Sequence, residues 1–267
     1  MSVVSPYNKE NAIKSAAFAL EFNKDIDANI LNMIKELYQR ETQFQKDFPN
    51  EEIIQTVKMQ MSQNIQEIST SQLGGLSYTT QSADGFSWKL LIQGNIVSIT
   101  CNEYTRWDEV WGFSKRYFEK ILSKLESYSL NKVVLEYLDE FSIKDLSNNK
   151  WLDELFKTDS PYVPKFVYEI NEPWHSHNGF MKKNKDSHTI NLINMNLLKN
   201  NINEEGNLMM QTQHASSLLA PVVLEKNIDD GIQMIEKTME ANHQFNKELL
   251  SVHLTQNILD KLSLKVV

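Results

Sequence analysis

Cysteine is nearly absent from this chain of 267 residues, and Cys101 is its single thiol. One cysteine cannot form an intrachain disulfide or supply a zinc site of several cysteines. Long apolar runs are also missing, since no window reaches the roughly 18 residues needed to cross a bilayer. The first residues lack a signal peptide's basic-then-apolar order, because the stretch from Asn8 to Lys14 is mostly polar. We therefore expect a soluble, cytoplasmic protein with no membrane partner.

Basic side chains are outnumbered, with 27 Lys and Arg against 35 Asp and Glu and a formal net charge of −8. That balance lowers the concentration of any polyanion around the protein. The densest basic stretch, Lys182, Lys183 and Lys185, lies beside Asp186 and has no interleaved aromatic residues on which bases could stack. We do not expect nucleic acid as a partner.

Familiar catalytic motifs are also missing. The pair Gly74-Gly75 is isolated, so neither a dinucleotide loop nor a P-loop can be built from it. No serine occupies a glycine-flanked elbow. Cys101 ends a predicted strand, which favours a small buried side chain over a nucleophile. These gaps make a non-enzyme the favoured interpretation.

Apolar periodicity is clear in the first half of the chain. Phe18, Leu20 and Phe22 alternate as in a half-buried strand, and Asp27 precedes a helical apolar stripe as its N-cap. Residues 86–101 alternate around Gly94-Asn95, which predicts a hairpin with a type II′ turn. An aromatic-faced helix should follow, capped by Thr105, and residues 132–141 predict a further strand.

The intervening residues 50–84 have poor periodicity. Their Ser-, Thr-, Gln- and Gly-rich part, 69–82, predicts a loop with short strand pieces. The resulting order of strand, helix, two strands, helix and strand is that of the split βαβ, ferredoxin-like arrangement.

The second half predicts a helix near 146–159 and an edge strand at 162–169. Apolar residues change parity within 187–198, which predicts a β-bulge near Leu192-Ile193. Another strand should include Leu208 to His214, and a helix of roughly 25 residues should follow Asn227. We expect an α+β fold with antiparallel sheets covered by helices on one face, comprising residues 1–145 and 146–267 packed as one unit.

Polar chemistry is concentrated in one predicted loop, from Glu172 to Gly179. His175 and His177 would project to the same side of an extended chain, and Glu172 could complete a divalent-metal site. The alternative interpretation is a solvated, hydrogen-bonded turn. His214 and His243 fall on apolar faces and are interpreted as core or boundary histidines satisfied by neighbours.

Residues 74–113, 132–143 and 241–263 resemble a family of sporadically distributed bacterial and archaeal proteins of about this length. The shared features are a Tyr-x-x-Trp at Tyr104 and Trp107, a Leu-x-Tyr strand, and a closing segment with His243, Asn246 and the step Leu254-Thr255. Family members carry arginine within that strand and asparagine after it, whereas this chain has Glu136 and Asp139. The family has no assigned function, so the resemblance implies no catalytic residues.

Two functions remain open at this point. The leading hypothesis is a non-catalytic component of a bacterial system, such as a toxin-antitoxin or anti-phage cassette, that binds another protein or itself and needs no cofactor. The alternative is a metal-dependent enzyme that uses His175, His177 and Glu172.

Overall fold

A computed structural model describes residues 3–8, 11–56, 59–62, 65–68, 72–83, 85–144, 150–170, 172–183, 188–199, 208–223 and 228–264. This part of the chain is an α+β structure with a large antiparallel sheet and six α-helices, the last but one of which is long. None of these helices is long and apolar enough to cross a membrane.

The strands are β1 (Val4–Pro6), β2 (Ile13–Phe22), β3 (Asn50–Thr56), β4 (Met59–Ser62), β5 (Ile65–Ile68), β6 (Gln72–Ser82), β7 (Gly85–Gln93), β8 (Ile96–Cys101), β9 (Ser129–Ile143), β10 (His175–Lys183), β11 (His188–Lys199) and β12 (Leu208–Val223). The helices are α1 (Ala28–Arg40), α2 (Thr42–Asp47), α3 (Trp107–Leu122), α4 (Lys150–Leu155), α5 (Ile228–His253) and α6 (Gln256–Lys261), with a 3₁₀ helix at Lys165–Tyr168.

The chain forms two compact units. Unit 1 comprises residues 1–16, 134–219 and 237–267, and unit 2 comprises residues 17–133 and 220–236. The predicted division into residues 1–145 and 146–267, packed as one unit, stays a prediction.

Unit 2 is built on the strand order β2-β8-β7-β6-β3. Helix α1 begins where predicted, because the Asp27 carboxylate accepts hydrogen bonds from the backbone N–H groups of Asn29 and Ile30 at 2.9 and 3.0 Å. The predicted hairpin is also present, with Gly94 at φ +58° as a type II′ turn requires.

An aromatic cluster forms the centre of unit 2. Phe44 is fully buried and its ring lies 4.8 Å from that of Tyr117 and 5.2 Å from those of Tyr38 and Tyr78. These rings come from α2, α3, α1 and β6, so the cluster joins three helices to the sheet. Burial of such large rings removes much apolar surface from water and so stabilises this unit.

Unit 1 contains the strand order β10-β11-β12-β9, with β1 paired to β9. Ile193, Met195 and Leu197 alternate toward an apolar core that also receives α4 and the end of α5. We call this side of the sheet the inner face, and the opposite side, on which His177 and Asn194 lie, the open face.

The loop prediction is wrong for residues 72–82, and its first part, 69–71, lies outside the described residues. Residues Gln72–Ser82 form β6, which pairs with β3 on one side and β7 on the other. The strand forms because Leu76 and Tyr78 are buried, and packing of such residues outweighs weak intrinsic preference. Glycine suits position 75 because it has no Cβ. A Cβ there would lie too close to the carbonyl oxygen of Ile92, at 2.6 Å.

The bulge predicted at Leu192-Ile193 is absent. Strand β11 pairs in continuous register with β10 and β12 through both residues. The change of parity arises because the strand carries apolar side chains on both faces: Ile193 is buried on the inner face, whereas Leu192 and Leu198 are exposed on the open face.

Two local predictions are also wrong. Residues 162–169 form a turn and a 3₁₀ helix, because Pro164 has no N–H for a ladder and its carbonyl accepts from the N–H of Val167 at 3.2 Å. The Thr105 hydroxyl does not cap α3 and donates to the Glu109 carboxylate at 2.7 Å instead. The ferredoxin-like order and the placement of helices on one face stay predictions.

Candidate functional site

The inner face of unit 1 carries a dense group of buried polar side chains between β9, β11, β12 and α5. Buried polar groups are normally few and hydrogen-bonded, so a concentration of them needs an explanation. The group comprises Tyr137, Asp139, Asn191, Thr212, His214, Ser216, Thr238, Asn242, His243 and Asn246. We call it the inner polar cluster.

His214 is the centre of this cluster. Its Nδ1 lies 2.9 Å from Oδ1 of Asn246, and its Nε2 lies 3.3 Å from Oδ1 of Asn191. Burial lowers the pKa of His214 to about 4, so the ring is neutral at pH 7. A neutral imidazole donates through one nitrogen only, so one of the two amides must turn its nitrogen toward the ring. Both ring nitrogens are therefore engaged by amides.

Asn191 has no exposed surface, and its Nδ2 has no hydrogen-bond partner in the described part of the protein. Reversal of its amide would give Nδ2 to His214 and leave Oδ1 on the other side. With Oδ1 toward His214, the Nδ2 end of this amide faces away from the ring with no bond from the described residues.

A cavity of about 250 Å³ opens beside Asn191. Its polar floor is formed by Asn191 with Ser216 and Asn242, where the Ser216 hydroxyl donates to Oδ1 of Asn242 at 3.0 Å. Its rim carries one cation, Lys182, and one anion, Glu248. The cavity therefore has neutral hydrogen-bonding groups below and a charge of each sign above.

The remainder of the cluster lies under the middle of α5. The Tyr137 hydroxyl is 2.8 Å from Nδ1 of His243, and burial lowers the pKa of that histidine to about 3. Asp139 lies two residues further along β9, and burial raises its pKa to about 7. Both groups thus favour their neutral forms when buried.

The contacts of Ser216 and His214 do not activate either side chain for catalysis within the described part of the cluster. The Ser216 hydroxyl donates to an amide, not to a base that could activate it as a nucleophile. His214 has both ring nitrogens engaged and a low pKa, so it is a poor general base near pH 7. The one carboxylate of the cavity, Glu248, is exposed on the rim.

The open face carries a second ordered group of side chains. His177 Nδ1 lies 2.7 Å from Asn194 Oδ1, and the Asn194 amide donates to Gln213 at 2.8 Å. The Gln213 amide donates in turn to the Glu136 carboxylate at 2.8 Å. One side chain from each of β10, β11, β12 and β9 thus forms a continuous row, which we call the polar row.

Exposed apolar side chains lie beside the polar row. Met181 is 60% exposed and Leu192 is 48% exposed. Leu192 is paired with Gly179, and its Cδ2 would be 3.2 Å from a Cβ at that glycine. Leu192 therefore lies over the glycine and extends the apolar surface to the edge strand.

The predicted metal ligands lie at the start of β10. His175 and His177 are exposed on one side of the strand with ring centroids 5.4 Å apart, as their spacing predicts for an extended chain. Glu172 precedes the strand and is exposed. No group of three His, Cys, Asp or Glu side chains in the described ranges is placed to hold a metal. The assignment of these three residues as ligands stays a prediction.

Cys101 is buried at the end of β8, and burial raises its pKa to about 12. A thiol with so high a pKa is a poor nucleophile. Lys182 and Lys183 lie on β10, whereas Lys185 lies outside the described residues.

Comparison of the sequence with models of protein families and with curated proteins gives no match. The resemblance to the family therefore stays a prediction. So does the interpretation of Glu136 and Asp139 as departures from the family's pattern. Glu136 ends the polar row, whereas Asp139 is buried in the inner polar cluster.

Sequence reasoning missed most of both groups. The signal that the sequence did offer is a polar residue at a position whose strand alternation predicts burial. Asn191 is such a residue, because it shares the parity of Ile193 and Met195 on β11. Asn242 and Asn246 are four residues apart and so share a face of α5.

Proposed function

We propose that the chain is a non-catalytic interaction protein that binds another protein through the open face of unit 1. The observation that supports this best is the polar row beside exposed Met181 and Leu192. Polar side chains that are already ordered lose little conformational entropy when a partner docks. Exposed apolar side chains beside them supply the contact area that a protein interface needs.

The position of β10 adds to this proposal. It ends the strand order and pairs with β11 alone among the described strands. A strand at the end of a sheet can pair with an extended segment of another protein through backbone hydrogen bonds. The partner would then contact the β10 backbone and the side chains of the open face together.

The chemistry of the surface favours a protein over nucleic acid. Glu136 and Glu140 both lie on the open face, and Lys14 already pairs with Glu140 at 2.7 Å. A phosphate backbone would meet the Glu136 carboxylate, and the Lys14 ammonium is already neutralised by the buried Glu140. A toxin-antitoxin or anti-phage cassette is the proposed source of the partner.

The test compares capture by three forms of the chain. Met181→Asp/Leu192→Asp places two charges on the open face, and Ile53→Asp is the matched control because Ile53 is 41% exposed on β3. We expect a protein from cells of the source organism to be enriched by the wild type and by the control but not by the double variant. Equal enrichment by all three forms, or turnover of a substrate by the purified chain, would contradict the proposal.

Sedimentation distinguishes a second copy from a different partner. A concentration-dependent dimer of the wild type that is lost in Met181→Asp/Leu192→Asp would show that the open face binds itself. The proposal of a different protein would then be wrong.

One observation favours the second candidate, a metal-dependent enzyme. The contact of His177 Nδ1 with Asn194 would leave Nε2 available as a ligand, the arrangement usual for metal-bound histidine. Elemental analysis tests it: stoichiometric zinc or manganese lost in His175→Ala/His177→Ala would favour the enzyme. A metal-free wild type after purification with both ions supplied would exclude it.

A further inference from the structure

The cavity on the inner face of unit 1 has a feature that structural packing does not require. Asn191 is completely buried, lines the cavity and has one end of its amide without a protein partner in the described residues. An unpaired buried amide is destabilising, because it loses its hydrogen bonds to water and gains none in return. A ligand that bonds to this amide would remove that penalty.

The rim defines the charge of such a ligand. Lys182 and Glu248 both line the cavity, and neither takes part in an ion pair among the described residues. The Lys182 ammonium instead lies 4.9 Å from the centre of the Phe245 ring, which belongs to the same wall. A ligand with a single charge would pair with one rim residue. It would be repelled by the other, which carries a charge of the same sign as the ligand. A zwitterion pairs with both.

The volume limits the ligand to a small metabolite. The cavity measures about 250 Å³, which is below the roughly 300–1,000 Å³ of sites for drug-sized molecules. Phe245 provides an apolar wall, and Thr189 and Ser216 provide hydroxyl groups. These dimensions and groups suit a molecule with a short backbone and one modest side chain.

We propose that this cavity binds a free α-amino acid, with its carboxylate at Lys182, its ammonium at Glu248 and a polar atom on the amide of Asn191. The site is on the face opposite the polar row and does not depend on the proposed protein interface. The chain would then sense an amino acid on one face of the sheet and bind its partner on the other.

Titration calorimetry of the intact chain with a panel of standard L-amino acids tests the proposal. We expect saturable binding of at least one of them. Its deaminated analogue and its decarboxylated analogue should each bind about tenfold or more weakly, which is the loss expected for one charge-assisted hydrogen bond. Equal binding of either analogue would refute the zwitterion, and no binding across the panel would refute the site.

Matched variants locate the binding. Lys182 and Glu248 are exposed, so Lys182→Met and Glu248→Gln should leave folding intact. Each should weaken binding about tenfold. Lys183→Met and Glu240→Gln, which are exposed on the same strand and helix but do not line the cavity, should bind as the wild type does. Unchanged affinity in both rim variants would place the ligand elsewhere and overturn the proposal.

Asn191→Leu tests the floor. It should abolish binding while circular dichroism shows a folded chain, and Asn191→Asp provides a second, isosteric variant if the leucine disrupts packing. Undiminished binding in a folded Asn191 variant would contradict the role of this amide. Binding of a peptide but of no free amino acid would assign the cavity to a partner's side chain and would likewise overturn the proposal.

Discussion

Acidification should destabilise the protein because three buried histidines are neutral when it is folded. Burial lowers the pKa of His214 to about 4, that of His243 to about 3 and that of His253 to about 4. In the unfolded chain each titrates near 6.5. Below that pH the unfolded chain binds protons that the folded chain does not. The stability that these histidines contribute is therefore complete above about pH 6.5 and is lost as the pH falls toward the folded values.

Asp139 acts in the opposite direction. Burial raises its pKa from 3.8 to about 7, so between these values the folded chain binds a proton that the unfolded chain lacks. Three protons gained by the histidines on unfolding, less one lost by Asp139, leave a net uptake of about two protons. At about 1.4 kcal/mol per proton and pH unit, the free energy of unfolding should fall by about 3 kcal/mol per unit between about pH 6 and pH 5.

Urea denaturation followed by circular dichroism at several pH values measures this slope. Asp139→Asn removes the opposing proton and should steepen the slope to about 4 kcal/mol per pH unit. Asp108→Asn, at an exposed position on α3, is the control and should keep the wild-type slope. A free energy of unfolding that is constant or increases from about pH 6 to pH 5 would refute the reasoning.

Three further predictions concern local structure. Asp27→Ala should destabilise the protein by about 1 kcal/mol in urea denaturation, because the N–H groups of Asn29 and Ile30 lose their cap; no change would contradict that role. Phe44→Ala should be destabilising by about 3–5 kcal/mol, since it empties the centre of the aromatic cluster; a loss below about 1 kcal/mol would show that the cluster collapses around the gap. Cys101 should react with a thiol reagent only after denaturation, and rapid labelling of the native chain would contradict its burial.

The fold was predictable where local signals and burial agree. Strand β2, the Asp27 cap of α1 and the hairpin at Gly94 all follow from periodicity and turn chemistry. Strand β6 could not be predicted because its Ser-, Thr- and Gly-rich sequence is typical of loops. It is a strand because two neighbouring strands pair with it and bury Tyr78, which are contacts distant in sequence.

Much less of the candidate sites was predictable. The loop prediction for the stretch from Glu172 to Gly179 is wrong from His175 onward, because His175 begins strand β10. In that strand His175 and His177 lie on one side, as their spacing indicates for an extended chain. The polar row was not predictable, because Asn194, Gln213 and Glu136 come together only through the register of β11, β12 and β9. Likewise, nothing near Asn191 in the sequence shows that α5 packs over it.

Hydrogen–deuterium exchange on the complex formed with the captured protein tests most directly whether the open face of unit 1 binds it. We expect slower exchange in β10 and β11 on binding, because they carry Met181 and Leu192 and include the last strand of the described sheet order. Protection of β3 instead, or unchanged exchange in β10 and β11, would contradict the proposed interface.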